Sequence, residues 1–174
     1  MDLRKTILEA VEAQVDRNGF MASGMDRLTA AAGVSSRTLY KHFGSKAGLM
    51  AAVLDERDRR FRSCLDVPTV DALFAALEDW IRTEGARGCL FLRALGETGG
   101  DRPEIVAAVQ RQKAFLRERI GDIVRGQLDE PQENLANQLL VLFEGATAAA
   151  AYRGPEATSA AREAADILVS NASK

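Results

Sequence analysis

The chain has 174 residues, of which 47% are hydrophobic, with a formal net charge of -2. That is enough apolar material for a sizeable core, and it excludes a disordered chain. The longest apolar runs, Leu139 to Phe143 and Ala146 to Ala151, are interrupted by Glu144 and Gly145 and fall far short of the roughly 20 residues that cross a bilayer.

The N-terminus, MDLRKTILEA, carries Glu9 where a secretory signal needs a continuous apolar tract. A cytoplasmic protein with no membrane partner is expected. Charge is uneven: 11 Lys and Arg stand against 8 Asp and Glu through Arg62, and 12 against 17 beyond it. A basic head on an acidic body implies two different tasks. Cys64 and Cys89 have neither CxxC nor metal-ligand spacing, so both read as packing residues.

Helical periodicity runs throughout, and no strictly alternating stretch argues for a strand, so the expected fold is all-α with about nine helices. Leu3, Ile7, Val11 and Val15 form the apolar stripe of a first helix, closed by Asn18-Gly19, after which Phe20 folds back. A short second helix holds Met25 to Ala32, with Leu28 inward and Gly33 as its end. Ser35 caps a third helix in which Leu39 and Phe43, four apart, face inward while Arg37, Thr38, Tyr40, Lys41 and His42 face elsewhere. Gly44 ends it, and Ser45 caps a fourth that runs to about Arg62.

Beyond Val67-Pro68 the helices become longer and richer in Ala and Leu. Thr69 caps one bearing Val70, Leu73, Leu77, Trp80 and Ile81; Cys89 to Leu95 forms a short apolar segment; GETGGDRP is a loop. Pro103 opens a long helix through about Leu128, whose continuity Gly121 and Gly126 weaken. Pro131 and Pro155 sit where first-turn prolines open the last two helices, to about Tyr152 and Asn171.

Two short helices around a tight glycine turn, the second amphipathic and basic, suit a helix that enters the DNA major groove. A bland helical hairpin with a basic face fits the same pattern. The tract from Ile7 to Leu54, above all TLYKHFGSK, resembles the N-terminal domain of the TetR/AcrR family of transcriptional regulators over about 50 residues.

That resemblance implies a helix-turn-helix domain over residues 1–48, with the fourth helix linking to about residue 62, and a ligand-binding and dimerisation domain over residues 63–174. It implies that Ser36, Arg37, Thr38, Tyr40 and Lys41 lie toward the groove. Tyr40 and His42 reach phosphates, and Lys46 contacts a phosphate beside a helix N-terminus. The chain departs from the family pattern at Gly24, where a Ser or Thr usually caps and touches phosphate; Ser23 is the candidate substitute. Thr29 puts a hydroxyl near the turn, Arg37 stands where the pattern has a small residue, and Asp26 where it is often basic.

The resemblance further implies a homodimer through the last two helices, a double-stranded operator as partner, and a small-molecule effector of unknown identity. No cofactor and no metal is implied. Leu135, Leu139, Leu142, Phe143 and Ala146 on one helix, with Ala161, Ala165 and Leu168 on the other, are candidates for the dimer seam or for the domain's own core. Trp80, Phe91 and Phe115, with Arg93 and Gln112 as polar anchors, are candidates for an effector cavity, against a plainer reading as core.

An enzyme finds little support. His42 is the one histidine, neither HExxH nor GxxxxGK[ST] occurs, and Glu78, Asp79, Glu84 and Glu97 are scattered, so no catalytic residue is assigned. A DNA-binding repressor that responds to a ligand is the expected function. The alternative is a helical small-molecule-binding or adaptor protein whose head does not bind DNA.

Overall fold

The computed structural model describes residues 2–172. Nine helices make up these described residues: α1 (Leu3–Asn18), α2 (Met25–Ala32), α3 (Ser36–Phe43), α4 (Lys46–Cys64), α5 (Val70–Glu84), α6 (Leu90–Glu97), α7 (Pro103–Leu128), α8 (Glu133–Arg153) and α9 (Glu156–Ala172). None of them is long and apolar enough to cross a membrane.

Local chemistry sets most of the boundaries. The Asp2 carboxylate accepts the Arg4 amide at 3.0 Å and starts α1. The helix ends where Gly19, at φ 84°, donates its amide to the Val15 carbonyl. Thr69 caps α5 by accepting the Ala72 amide, as its position predicts. α8 begins after Gln132 rather than at Pro131, so that proline precedes the helix instead of opening its first turn. α7 runs unbroken through Gly121 and Gly126, which its packing tolerates.

The chain forms two compact units, divided within α4 and within α7. One holds the described residues up to Arg59 together with Leu90–Arg111; the other holds Arg60–Cys89 and the described residues from Gln112 onward. Residues 90–111 thus belong to the first unit although they lie within the stretch 63–174 expected of the C-terminal domain. Polar links gather them with α1. Arg93 donates to the Asp16 carboxylate at 3.1 Å and to the Asp16 carbonyl at 2.9 Å. Glu97 accepts the Met21 amide at 2.8 Å.

In the first unit Ile7, Val11, Val15, Phe20, Leu28, Leu39, Leu49 and Val53 are buried. Leu3, at the open end of the α1 stripe, is exposed. Within that interior Arg57 of α4 pairs with Glu12 of α1 at 2.6 Å, both side chains nearly fully buried.

The second unit packs α5 against α8 and α9. Its centre is aromatic: Phe61 meets Trp80 edge-on at 5.1 Å, and Phe143 lies edge-on to both Phe61 and Phe74. Ala146, Ala150, Ala157, Ala161 and Ala165 let α8 and α9 approach closely, and a bidentate pair from Arg162 to Asp71 ties α9 to α5. Cys64 departs from the packing role expected of it: it is exposed at the end of α4, whereas Cys89 is half-buried.

Candidate nucleic-acid interface

The turn between α2 and α3 is built from its glycine outward. Gly33 takes the left-handed conformation, φ 64° and ψ 27°, that other residues adopt only with strain. In that conformation its own amide and the Val34 amide close on the α2 carbonyls of Ala30 and Thr29. Ser35 then caps α3: its hydroxyl accepts the Thr38 amide at 3.2 Å and lies 3.0 Å from the Thr38 hydroxyl. The chain thus reverses within three residues and presents the start of α3.

α3 is held from behind by Leu39, which is 1% exposed, and by the half-buried Phe43. Around the rest of the helix Ser36, Arg37, Tyr40, Lys41 and His42 are exposed, Tyr40 at 48%. Among the described residues neither Arg37 nor Lys41 makes an ion pair, so both cations face solvent. Thr38 is half-buried, with its hydroxyl occupied at the cap. Five of the six α3 candidates are therefore exposed, and Arg37, Tyr40 and Lys41 share the face turned away from Leu39 and Phe43.

Lys46, at the start of α4, lies differently. Its ammonium rests 4.5 Å from the centroid of the Phe20 ring. Partial burial pushes its pKa below the ordinary lysine value, and the Glu97 carboxylate works the other way. In the free chain the ammonium is drawn onto the protein, and a phosphate contact requires the stem to swing outward.

Two departures from the family pattern are resolved. Gly24 caps α2 without a side-chain hydrogen bond, and Ser23 does not replace the missing hydroxyl, because it is fully buried and donates to the Gly19 carbonyl at 2.7 Å. The Thr29 hydroxyl is likewise turned back, onto the Asp26 carbonyl at 2.9 Å. Asp26 is exposed in the first turn of α2.

Arg4 of α1 was not singled out by sequence. Its guanidinium lies 4.7 Å from the Phe43 ring centroid and donates to the His42 carbonyl at 3.4 Å, bracing the C-terminal end of α3. A single arginine in an amphipathic first turn gives no signal of such a contact.

The five effector-cavity candidates are divided between the two units. Phe91 and Arg93 belong to the first unit, and Arg93 is engaged by Asp16. Trp80, Gln112 and Phe115 belong to the second. Trp80 is buried against Phe61, and the Arg62 guanidinium covers Phe115 at 4.0 Å. Gln112 is buried with its side-chain oxygen unbonded.

On α8 and α9 the expected seam divides in two. Leu135, Leu139, Phe143, Ala146, Ala161 and Ala165 are buried within their own unit. Beside them Val141, Tyr152 and Ile167 are 72%, 80% and 63% exposed and border an open apolar groove of about 620 Å³ floored by Leu142, Ala149 and Leu168.

Comparison with known proteins agrees with this geometry. Residues 7–53 match the family described as bacterial regulatory proteins, tetR family. No curated protein matches the chain. Among solved structures, a TetR-family transcriptional regulator from Streptomyces coelicolor is similar at 27% identity, with a TM-score of 0.89 over 99% of this chain and 96% of that one. A putative regulator of the same kind from Streptomyces avermitilis aligns at 28% identity and a TM-score of 0.74, over 95% and 99% of the two chains. The fold is shared at 18% identity by a TetR regulator from Legionella pneumophila, with a TM-score of 0.80 over 96% and 97%.

Proposed function

We propose that this chain, which carries a tetR-family N-terminal domain and the fold of TetR-family regulators throughout, represses transcription as a homodimer on a pseudo-palindromic operator and releases it when a small molecule binds. Regulators with this fold are DNA-binding transcription factors and not enzymes, so the site is one of recognition and no bond is made or broken in it.

The observation that carries the reading is the open face of α3, where two unpaired cations and a tyrosine stand on a helix anchored by Leu39. Arg37, in the first turn, is suited to bidentate contact with guanine O6 and N7. Tyr40 and Lys41, with His42 beyond them, suit the phosphates on either side. Lys46 leaves Phe20 for a phosphate at the α4 N-terminus, where the helix dipole adds to its charge.

The groove on α8 and α9 supports the second half of the reading. An apolar surface of this openness on a domain whose core is already complete is suited to a second copy, and a two-fold axis there pairs α8 and α9 into a four-helix bundle. Two heads can then read major grooves about 34–36 Å apart. Division of the chain into a DNA-binding part over residues 1–48 and an effector and dimer part over 63–174 belongs to this proposal.

The test is DNA selected from random duplexes and titrated by fluorescence anisotropy at several salt concentrations. A regulator gives a log affinity that falls linearly with log salt, and Lys46→Ala lessens the slope by about 1. Absence of any salt-dependent complex with selected DNA refutes the reading.

A further inference from the structure

The two cysteines have different neighbours. Partial burial pushes the Cys64 thiol up, and the Glu84 carboxylate adds to it, so this sulfur is held as an unreactive thiol despite its exposure. At Cys89 the neighbour is a cation. The Lys113 ammonium of α7 donates to the Cys89 sulfur at 3.5 Å and to the Glu144 carboxylate of α8 at 2.7 Å. The contact sets an oxidisable sulfur beside an amine nitrogen able to attack it once it is oxidised. Lys113 and Glu144 are each about a quarter exposed, 25% and 26%, and Cys89 is half-buried, so a small oxidant can reach the sulfur while bulk solvent is limited.

We propose that Cys89 and Lys113 form a covalent sulfur–nitrogen cross-link when a hydroperoxide oxidises the thiol. The Cys89 thiolate attacks one peroxide oxygen. A sulfur–oxygen bond forms as the oxygen–oxygen bond breaks, sulfur is oxidised by two electrons to a sulfenic acid, and the peroxide is reduced to an alcohol or to water, taking up the thiol proton.

Lys113 completes the link. Its ammonium gives one proton to the Glu144 carboxylate beside it, and the freed amine attacks the sulfenyl sulfur. The nitrogen–sulfur bond forms as the sulfur–oxygen bond breaks, and the departing hydroxide leaves as water with the second nitrogen proton. Closing the 3.5 Å contact to a bond requires a shift of about 2 Å, within reach of the flexible four-carbon lysine stem. The product joins residues 24 apart in sequence and removes Lys113 from its pair with Glu144. Nothing in this chemistry depends on DNA binding, so its test is independent of the regulator reading.

The experiment treats the full-length chain carrying Cys64→Ser with hydrogen peroxide and follows it by intact mass and by peptide mapping without reductant. The expected product is lighter by about 2 Da, reverts with dithiothreitol, and yields one linked peptide pair containing Cys89 and Lys113. Lys113→Arg keeps the cation and its carboxylate partner but has no nucleophilic amine; there Cys89 is expected to be trapped by dimedone as a sulfenic acid, with no link. Cys89 that stays unmodified, a sulfenic acid that persists unlinked beside the native Lys113, or a link of another mass or to another residue overturns the proposal.

Discussion

The pair between Arg57 and Glu12 gives the sharpest test of how the head is held together. The two side chains are 7% and 9% exposed, their closest atoms are 2.6 Å apart, and they join α4 to α1, the helices that flank α2 and α3 in sequence. Arg57→Met removes the cation and leaves the Glu12 carboxylate in the interior, which costs about 3–5 kcal/mol for a buried pair broken on one side. For a chain of this length each kcal/mol lowers the melting temperature by about 2–4 °C, so a fall of roughly 6–20 °C is expected. Replacing both partners, Glu12→Met with Arg57→Met, removes the stranded charge and fills the space with apolar atoms. That double variant should recover most of the loss, because the cost lies in the unpaired ion rather than in the missing attraction. Calorimetry and urea unfolding on the four chains of the cycle measure this, with DNA binding of the double variant as a check that α3 is still presented. A single-variant loss under about 1 kcal/mol, or a double variant as unstable as the sum of the singles, refutes the reasoning.

Three further outcomes follow from named contacts. Ser35→Ala removes the α3 cap and should cost about 1 kcal/mol by urea unfolding, with DNA affinity falling more than stability at a temperature where the chain stays folded. Asp71 is held below the ordinary carboxylate value chiefly by its hydrogen bonds to Arg162; the native state therefore gains stability from it above the unfolded carboxyl pKa and loses that gain as pH falls through the lowered folded value. Arg162→Gln should lower the melting temperature at neutral pH, by a small amount for so exposed a pair, and flatten the acid limb, the two chains converging once pH is below the lowered folded value. Tyr152→Glu with Ile167→Glu places charge on the open groove and should shift sedimentation from dimer to monomer without lowering helicity.

The parts of this molecule that were legible in sequence are those fixed by local chemistry. Ser35, Gly33 and Gly44 announce both ends of α3 through hydroxyl capping and positive φ, and Leu39 with Phe43 places the opposite side outward by the 3.6-residue period alone. Contacts across long sequence separations left no such trace. Nothing in the spacing of Glu12, Asp16 or Glu97 marks a partner, yet Arg57, Arg93 and the Met21 amide take them up. Lys46 was legible as a cation at a helix start, while its rest position over Phe20 depends on how the chain turns after Gly19. On α8 apolar residues occupy more than one side, so periodicity could not separate Leu139 and Phe143, which fill the core, from Val141, which faces out. Ser23 was misjudged for a related reason: a serine before a helix suggests a cap, and here the hydroxyl turns back into the protein.

Base-by-base affinity of the Arg37→Ala variant tests the central claim most directly. With the operator selected by the native chain and every position substituted in turn, loss of Arg37 should cost about 1–3 kcal/mol and abolish discrimination at one base pair in each of two half-sites related by a two-fold axis. An unchanged specificity profile, or a loss spread evenly over all positions, contradicts the assignment of α3 as the element that reads DNA.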